Sequence, residues 1–145
     1  MKRTAEAVAE TAARENLTKP TVLGVTLLTS VDRETLQGIG IADEPARIVA
    51  RLASLAQSSG LDGVVASAQE IKIIREAVPG SDFVIVTPGM RSASDAAHDQ
   101  RRFMSVRDAI QAGANHVVIG RPILHADDPA KAAAIFLQEI AAAIA

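Results

Sequence analysis

Short apolar runs that alternate with helix-like stretches are the feature that most constrains how this chain can fold. Each run is brief and nearly continuous in apolar residues, which is typical of a strand buried on both faces. A helical crossover between two strands returns the chain to its starting edge, so consecutive strands of this kind run parallel. The runs predict four strands, at 22–28, 64–66, 83–86 and 117–119.

Helix signals fill the segments around these strands. Helices are predicted at 2–15, from Asp43-Glu44-Pro45 to about Gly60, at 69–77, at 105–112 and from Asp128-Pro129 onward. Asp43 is the expected N-cap of the helix that starts there, and Gly60 is its expected left-handed end. Ser105 and Asp108 are expected to form a capping-box-like pair that starts the 105–112 helix, which ends at Gly113. Residues 31–43 are predicted to form a loop with at most a short helix. The last helix is expected to bury one apolar face: Ala133, Phe136, Leu137, Ile140 and Ile144.

The predicted architecture is therefore α/β, a helix followed by four parallel βα units. The 145 residues contain no linker-like segment, so residues 1–145 are expected to form a single domain. A closed (β/α)₈ barrel needs eight strands and about 250 residues. Four parallel strands leave two bare edges, so the chain is predicted to be either a small open sheet or half a barrel.

Composition excludes several classes of function. A net charge of −2, no Trp, no Tyr and only three Phe exclude a basic or aromatic nucleic-acid surface. The absence of Cys excludes disulfides and thiolate chemistry, and the three histidines have no metal-pair spacing, so no metal is expected. No membrane-length apolar run or leader-like core is present, which leads us to expect a soluble cytoplasmic chain.

Two neighbouring predicted strands end in glycine followed closely by arginine. These segments are Gly89-Met90-Arg91 and Gly120-Arg121-Pro122. Glycine lets the backbone approach a ligand, and the planar guanidinium matches a phosphate or carboxylate. Since ligands bind at the carboxyl ends of parallel strands, the pattern predicts an anion site, best suited to a phosphate monoester. The alternative for each Arg is a solvated surface position beside a turn glycine.

Weaker candidates follow the first and third strands. Gln100, in the polar loop after the third strand, could donate from its amide to a phosphate or a base carbonyl, and otherwise is an exposed loop residue. Thr29 and Ser30 could bond a polar ring edge, or simply cap the next helix. The chain has four lysines, and none directly follows a predicted strand, so no proton donor or base is evident.

A set of motifs in this order resembles a known family. They are VTLLTS (25–30), GLDGVVASAQE (60–70), VTPGMR (86–91), DQRR (99–102) and VIGRPILHADDPAKA (118–132). Together they resemble the C-terminal half of bacterial orotidine-5′-phosphate decarboxylases over almost the whole chain. That family is a TIM barrel that removes CO₂ from orotidine monophosphate (OMP) to give UMP without a cofactor.

The resemblance implies that this chain supplies barrel strands five to eight. It implies phosphate-binding roles for Arg91, Gln100, Gly120 and Arg121, and a substrate contact for Thr29. The family's Asp-x-Lys-x-x-Asp motif and its other catalytic Lys belong to earlier strands, and nothing here matches them. No catalytic residue is therefore expected in this chain.

Three hypotheses remain at this point. The chain is part of an OMP decarboxylase that binds OMP or UMP and needs a complementary N-terminal half in trans. Alternatively it is a non-catalytic phosphate-binding half-barrel that self-associates into a homo-oligomer through its open edges. A related phosphosugar lyase or synthase is the third hypothesis, and the DQ and VTPG-Arg motifs argue against it.

Overall fold

The computed structural model describes residues 1–90 and 104–144. In chain order its elements are α1 (Lys2–Arg14), β1 (Leu23–Val25), α2 (Arg33–Gly38), α3 (Pro45–Ser58), β2 (Gly63–Val65), the 3-10 helix η1 (Ala68–Glu70), α4 (Ile71–Ala77), β3 (Val84–Pro88), α5 (Val106–Ala112), β4 (His116–Val118), α6 (Arg121–Leu124) and α7 (Pro129–Ile144). None of the helices in these two ranges has the length and apolar character needed to cross a bilayer.

The strands form one parallel sheet in the order β1-β2-β3-β4, as the alternating pattern predicts. The observed strands are shorter than the apolar runs. In β1 the ladder ends where Thr26 donates its N–H to Val65 O at 3.1 Å, and Val31 then closes a turn by donating to Leu28 O. Within the described ranges β1 pairs with β2 alone and β4 with β3 alone, so the sheet has two free edges.

The two faces of the sheet have different environments. On one face Val64, Ile85 and Thr87 are fully or almost fully buried against the helices. Helix residues that complete this core are Val49, Ala53 and Ala56 of α3, Ile71 and Ile74 of α4, Val106 and Ala109 of α5, and Phe136 of α7. Residues of the opposite face alternate with these and, apart from the buried Gly63, are half-buried or exposed. The described helices thus cover one side of the sheet.

Local capping signals are confirmed at the helix ends that they predict. Ser105 accepts a hydrogen bond from the Asp108 N–H at 3.1 Å and donates its hydroxyl to the Asp108 carboxylate at 2.7 Å. Asp128 accepts from the N–H of Lys131 at the start of α7. Gly60 and Gly113 have φ values of 81° and 110°. At these termini the sequence motif and the structure agree because every partner lies within one turn.

Two expectations are wrong. Asp43 does not cap α3: the N-cap is Glu44, and the Asp43 carboxylate pairs instead with Arg51 at 2.9 Å and Arg47 at 3.8 Å. On α7, Leu137 and Ile144 are exposed, because the helix packs on α5 and α6 and buries only the stripe around Phe136. Two arginines compete for the carboxylate in the first case, and no described element covers the rest of the helix in the second.

Arg75 ties together the segments that lead into β3 and β4. Its guanidinium donates to Gly113 O at 2.7 and 3.1 Å, to Phe83 O at 2.6 Å, to Gly80 O at 3.1 Å and to Asn115 Oδ1 at 2.6 Å. Asn115 Oδ1 also accepts from the N–H at the start of β3, at Ile85. This half-buried arginine therefore satisfies backbone carbonyls and aligns two strands at their amino ends.

A second contact anchors β1 beside β2. The Asp62 carboxylate accepts from Lys19 Nζ at 2.5 Å and from the N–H of Val22 at 2.7 Å. The hydrogen bond from Lys19 is the main cause that lowers the pKa of Asp62 below its ordinary value. Because these amino-end contacts set the strand starts, they also determine which residues meet at the carboxyl ends.

Candidate functional site

The carboxyl ends of β3 and β4 lie side by side. Thr87 is aligned with Val117 and Pro88 with Val118 in the parallel register. Gly89 follows β3 with φ of 80°, a left-handed conformation that suits glycine. The two glycine-terminated strands that the sequence singles out are therefore neighbours at the edge where parallel sheets bind ligands.

Gly120 and Arg121 occupy the end of β4. Gly120 is the N-cap of the four-residue helix α6, and Arg121 is the first residue of that helix. The Arg121 side chain is exposed, and it forms neither an ion pair nor a hydrogen bond with any residue that the structure describes. In contrast, Arg51 is paired with a carboxylate and Arg75 is saturated by carbonyls. An exposed guanidinium that no described residue pairs can receive an anionic group.

Thr29 lies at the other side of the sheet. It is exposed in the turn that follows β1, whereas β4 is three strands away. Neighbouring strands are about 4.8 Å apart, so three spacings are about 14 Å along the sheet. The structure thus leaves Thr29 on the carboxyl rim but does not bring it next to Arg121. Such a separation suits contacts to opposite ends of one extended ligand rather than to one group.

Arg91 and Gln100, the two other predicted anion-binding residues, lie outside the described residues. The described chain stops one residue before Arg91, at Met90, whose side chain is buried. The meeting of the two guanidinium groups at a single point therefore stays a prediction. Gly120 and Arg121 are the predicted phosphate-site residues that the structure describes.

Glu70, which follows β2, has a structural role at the same edge. Its carboxylate accepts from the backbone N–H of Ser67, the N-cap of η1. This is the acidic half of an S-x-x-E capping box, a signal present in Ser67-Ala68-Gln69-Glu70. Burial raises the pKa of Glu70, partly opposed by the Ser67 hydrogen bond. Its Oε2 is buried without a hydrogen-bond partner among the described residues.

Thr87 is a further buried polar group at the end of β3. It is fully buried on the helix-covered side of the sheet, and its Oγ1 has no hydrogen-bond partner among the residues described. The hydroxyl faces the packed layer rather than the open rim. We therefore do not include Thr87 among the residues that could contact a ligand.

The four lysines lie on helices or at the amino ends of the strands. Lys19 is bound to Asp62 at the amino ends of the strands, and Lys2, Lys72 and Lys131 are exposed on helices. The ranges 1–90 and 104–144 also contain no cluster of three or more His, Asp or Glu able to hold a metal ion. The described part of the rim thus presents an exposed guanidinium but no paired acid and base.

Comparison with known proteins decides the family. The model of the "Orotidine 5'-phosphate decarboxylase / HUMPS family" matches residues 1–136. This chain belongs to that family. Orotidine 5'-phosphate decarboxylase of Citrifermentans bemidjiense is 52% identical over 124 residues, and that of Syntrophus aciditrophicus is 49% identical over 142 residues. The chain spans about half of these relatives: 51% of the first and 56% of the second.

A solved structure of the family shows the same arrangement. The crystal structure of orotidine 5'-phosphate decarboxylase from Lactobacillus acidophilus matches with a TM-score of 0.72 at 34% identity, covering 86% of this chain and 50% of that one. The orotidine 5'-phosphate decarboxylase fold is a TIM barrel, and the four-stranded parallel sheet described above corresponds to part of it. The motif-based resemblance is thereby confirmed.

Proposed function

We propose that this chain is the nucleotide-phosphate-binding half of an orotidine 5'-phosphate decarboxylase. Family membership supports the substrate class, OMP, and the product, UMP with release of CO₂. The observation that carries the proposal is the adjacency of the β3 and β4 ends, which lead into Gly89 and Gly120, together with the exposed Arg121, whose side chain is unpaired among the described residues. Backbone N–H groups and the guanidinium would hold the phosphate dianion.

The remaining contacts would extend from this anchor. Arg91 and Gln100 would complete the grip on the phosphate, and Thr29 would bond the pyrimidine at the far side of the rim. A separation of about 14 Å along the sheet between the first and last strands is consistent with contacts to the base and the phosphate of one nucleotide.

We also propose that the chain binds the nucleotide but does not decarboxylate it unaided. Loss of CO₂ leaves a carbanion at the pyrimidine C6, and a cationic acid must stabilise and protonate that carbon. No lysine directly follows any of the four described strands, and the sequence contains no Asp-x-Lys-x-x-Asp segment. Phosphate binding would instead supply energy for transition-state stabilisation once a complementary half provides the lysine.

Calorimetric titration with UMP tests the binding proposal. Arg121→Ala should weaken binding by about 1.5–3 kcal/mol, or roughly tenfold to a hundredfold, because a charge-assisted hydrogen bond is lost. The matched control is Arg14→Ala: Arg14 is also exposed, but it ends α1 ahead of β1 and already pairs with Glu15. Equal affinities for the wild type and Arg121→Ala would remove the anion site.

Release of CO₂ from OMP tests the division of labour. The chain alone should give none, whereas mixing it with the separately produced N-terminal half of the Citrifermentans bemidjiense relative should restore release. Turnover by the chain alone that Arg121→Ala abolishes would contradict the second proposal while supporting the first.

A further inference from the structure

We propose that Glu70 is a positioning residue of the nucleotide site: its carboxylate fixes the turn after β2 so that the Ser67 hydroxyl is free to contact the nucleotide. This inference rests on the proposed function, because it adds a contact at the same carboxyl rim. It starts from a difference between two motifs of the same form, a serine followed three residues later by an acid, at 67–70 and 105–108. Only the second uses its hydroxyl as a helix cap.

The Ser105 hydroxyl is occupied by its own helix. It accepts from the Asp108 N–H at 3.1 Å and donates to the Asp108 carboxylate at 2.7 Å. This is the ordinary outcome for a serine at a helix start. A hydroxyl that is bound twice within one turn is not available to a ligand.

The Ser67 hydroxyl is not used in this way. The Glu70 N–H, which a capping serine hydroxyl would bind, donates instead to the main-chain oxygen of Ser67 at 3.0 Å and closes the 3-10 turn η1. The Ser67 N–H donates to the Glu70 carboxylate, while the Ser67 side chain makes no cap hydrogen bond. Backbone and carboxylate thus hold the turn between them, and the half-buried Ser67 hydroxyl stays unpaired among the described residues.

The backbone directs the Ser67 side chain to the face opposite the helices. Val64 and Ala66 are buried on the helix side, and Val65 between them lies on the other face. The chain stays extended past β2, since the Ala66 N–H donates to Val86 O at 3.1 Å and Ser67 has φ of −62° and ψ of 147°. Because side chains alternate along an extended chain, Ser67 points to the same side as Val65. In a TIM barrel that side is the interior, and ligands bind at its carboxyl end.

Ser67 also lies between the two ends of the candidate site. β2 is one strand from β1, which leads to Thr29, and two strands from β4, which leads to Arg121. At about 4.8 Å per strand, Ser67 is about 5 Å along the sheet from the Thr29 strand and about 10 Å from the Arg121 strand. A nucleotide that reaches from Thr29 to Arg121 passes over the end of β2. A free hydroxyl at that point can donate to or accept from the polar middle part of the nucleotide.

The placement of the Glu70 carboxylate is costly for the fold. Its Oε2 is buried without a hydrogen-bond partner in the part of the chain that the structure describes. Burying an acceptor unsatisfied is destabilising, and such groups in native proteins call for an explanation. A serine cap would hold the turn without a buried carboxylate, as Ser105 does for α5. The arrangement at Glu70 differs in its effect: it holds Ser67 in place and leaves the Ser67 hydroxyl free.

Calorimetric titration of single and double variants tests whether Glu70 acts through Ser67. Ser67→Ala and Glu70→Ala should each weaken UMP binding by about threefold to tenfold, the loss expected for one hydrogen bond. The double variant should bind no more weakly than either single variant, since both changes remove the same contact. Glu70→Gln keeps an acceptor for the Ser67 N–H and should restore the affinity. Inorganic phosphate, which needs only the anchor at Arg121, should bind all of these chains equally.

Amide hydrogen exchange, followed by NMR, tests the link between the two residues without a ligand. In Glu70→Ala the Ser67 N–H should exchange at least about tenfold faster, because it loses its acceptor. The Ala66 N–H, which is bound to Val86 O, should be unchanged in the same chain. Glu76→Ala is the matched control, because it removes an exposed acid at the other end of α4, and it should change neither the exchange nor UMP binding.

Three results would overturn the inference: full UMP affinity in Glu70→Ala, additive losses in the double variant, or an unchanged Ser67 exchange rate. Equal loss of UMP and inorganic phosphate binding in Glu70→Ala would also overturn it, because Glu70 would then support the fold as a whole. These failures leave the nucleotide site standing as long as Arg121→Ala weakens UMP binding. A wild-type chain that does not bind UMP would refute the proposed function and this inference together.

Discussion

Replacing Gly63 with alanine adds only one methyl group, but we expect it to destabilise the fold strongly. Gly63 starts β2 and pairs with Val84 of β3. A Cβ built on Gly63 would lie 2.1 Å from the Val84 carbonyl oxygen and 2.7 Å from the carbonyl carbon. These are backbone atoms of the neighbouring strand, so no side-chain rotation can relieve the overlap. The two central strands would have to move apart.

The size of the effect follows from that movement. Overpacking that displaces backbone costs about 1–3 kcal/mol. Separation at this point also strains the hydrogen bond from the Val84 N–H to Asp62 O, now 2.9 Å, at about 1 kcal/mol. We expect a loss of about 3 kcal/mol. With an unfolding entropy of about 2.1 cal/mol/K per residue over 145 residues, this lowers the Tm by about 10 °C.

Differential scanning calorimetry and urea titration measure this change directly. Gly38→Ala is the control, because Gly38 ends α2, has nothing within 4 Å of an added Cβ and lacks a positive φ. That variant should be neutral or more stable by about 0.5–1 kcal/mol, since alanine restricts the unfolded chain. If Gly63→Ala melts with the wild type, the close approach of β2 and β3 is not as described.

Two other predictions concern the amino ends of the strands. Arg75→Lys keeps the charge but loses the planar fork that reaches Gly113, Phe83, Gly80 and Asn115. Urea titration should show that this variant loses about 2 kcal/mol or more of unfolding free energy. The control Arg107→Lys, at an exposed position, should be neutral. Equal midpoints for the two variants would contradict this role. Because the pKa of Asp62 is lower in the folded chain than its ordinary value of 3.8, the ionised carboxylate stabilises the fold at pH values above 3.8. This stabilisation is lost as the pH falls through the lower pKa of the folded state. Asp62→Asn should therefore be less stable at neutral pH and lose less stability on acidification, as followed by circular dichroism; parallel acid-unfolding curves would refute the linkage.

Features that depend on neighbours in the chain were predictable. The caps at Ser105 and Asp128, the left-handed Gly60, the helix end at Gly113 and the parallel order of the strands all follow from residues within a turn or from the alternation of periods. The same local reading failed at Asp43, where two arginines further along α3 take the carboxylate. A cap is a competition between partners, and only the fold shows which partners come within reach.

The candidate site divides in the same way. The glycine-arginine pattern after two strands predicted that their ends would be relevant to anion binding, and their adjacency is confirmed. The distance of Thr29 from β4 was not predictable, because it depends on the order of strands across the sheet. The bond from the Ser67 N–H to the Glu70 carboxylate could have been expected from the S-x-x-E spacing, although the Ser67 side chain itself does not cap η1.

The amino-acid order by itself determined the elements, their α/β succession and the motifs of the family, because helix and strand periods, caps and turn glycines act over a few residues. Tertiary structure alone decided that Arg75 bonds carbonyls up to 38 residues away, that Lys19 reaches Asp62 across 43 residues, and that the described helices pack on one face of the sheet. Such contacts depend on how whole elements pack against one another. The sequence offers many chemically equivalent partners for each charge and each apolar face, and only the packing selects among them.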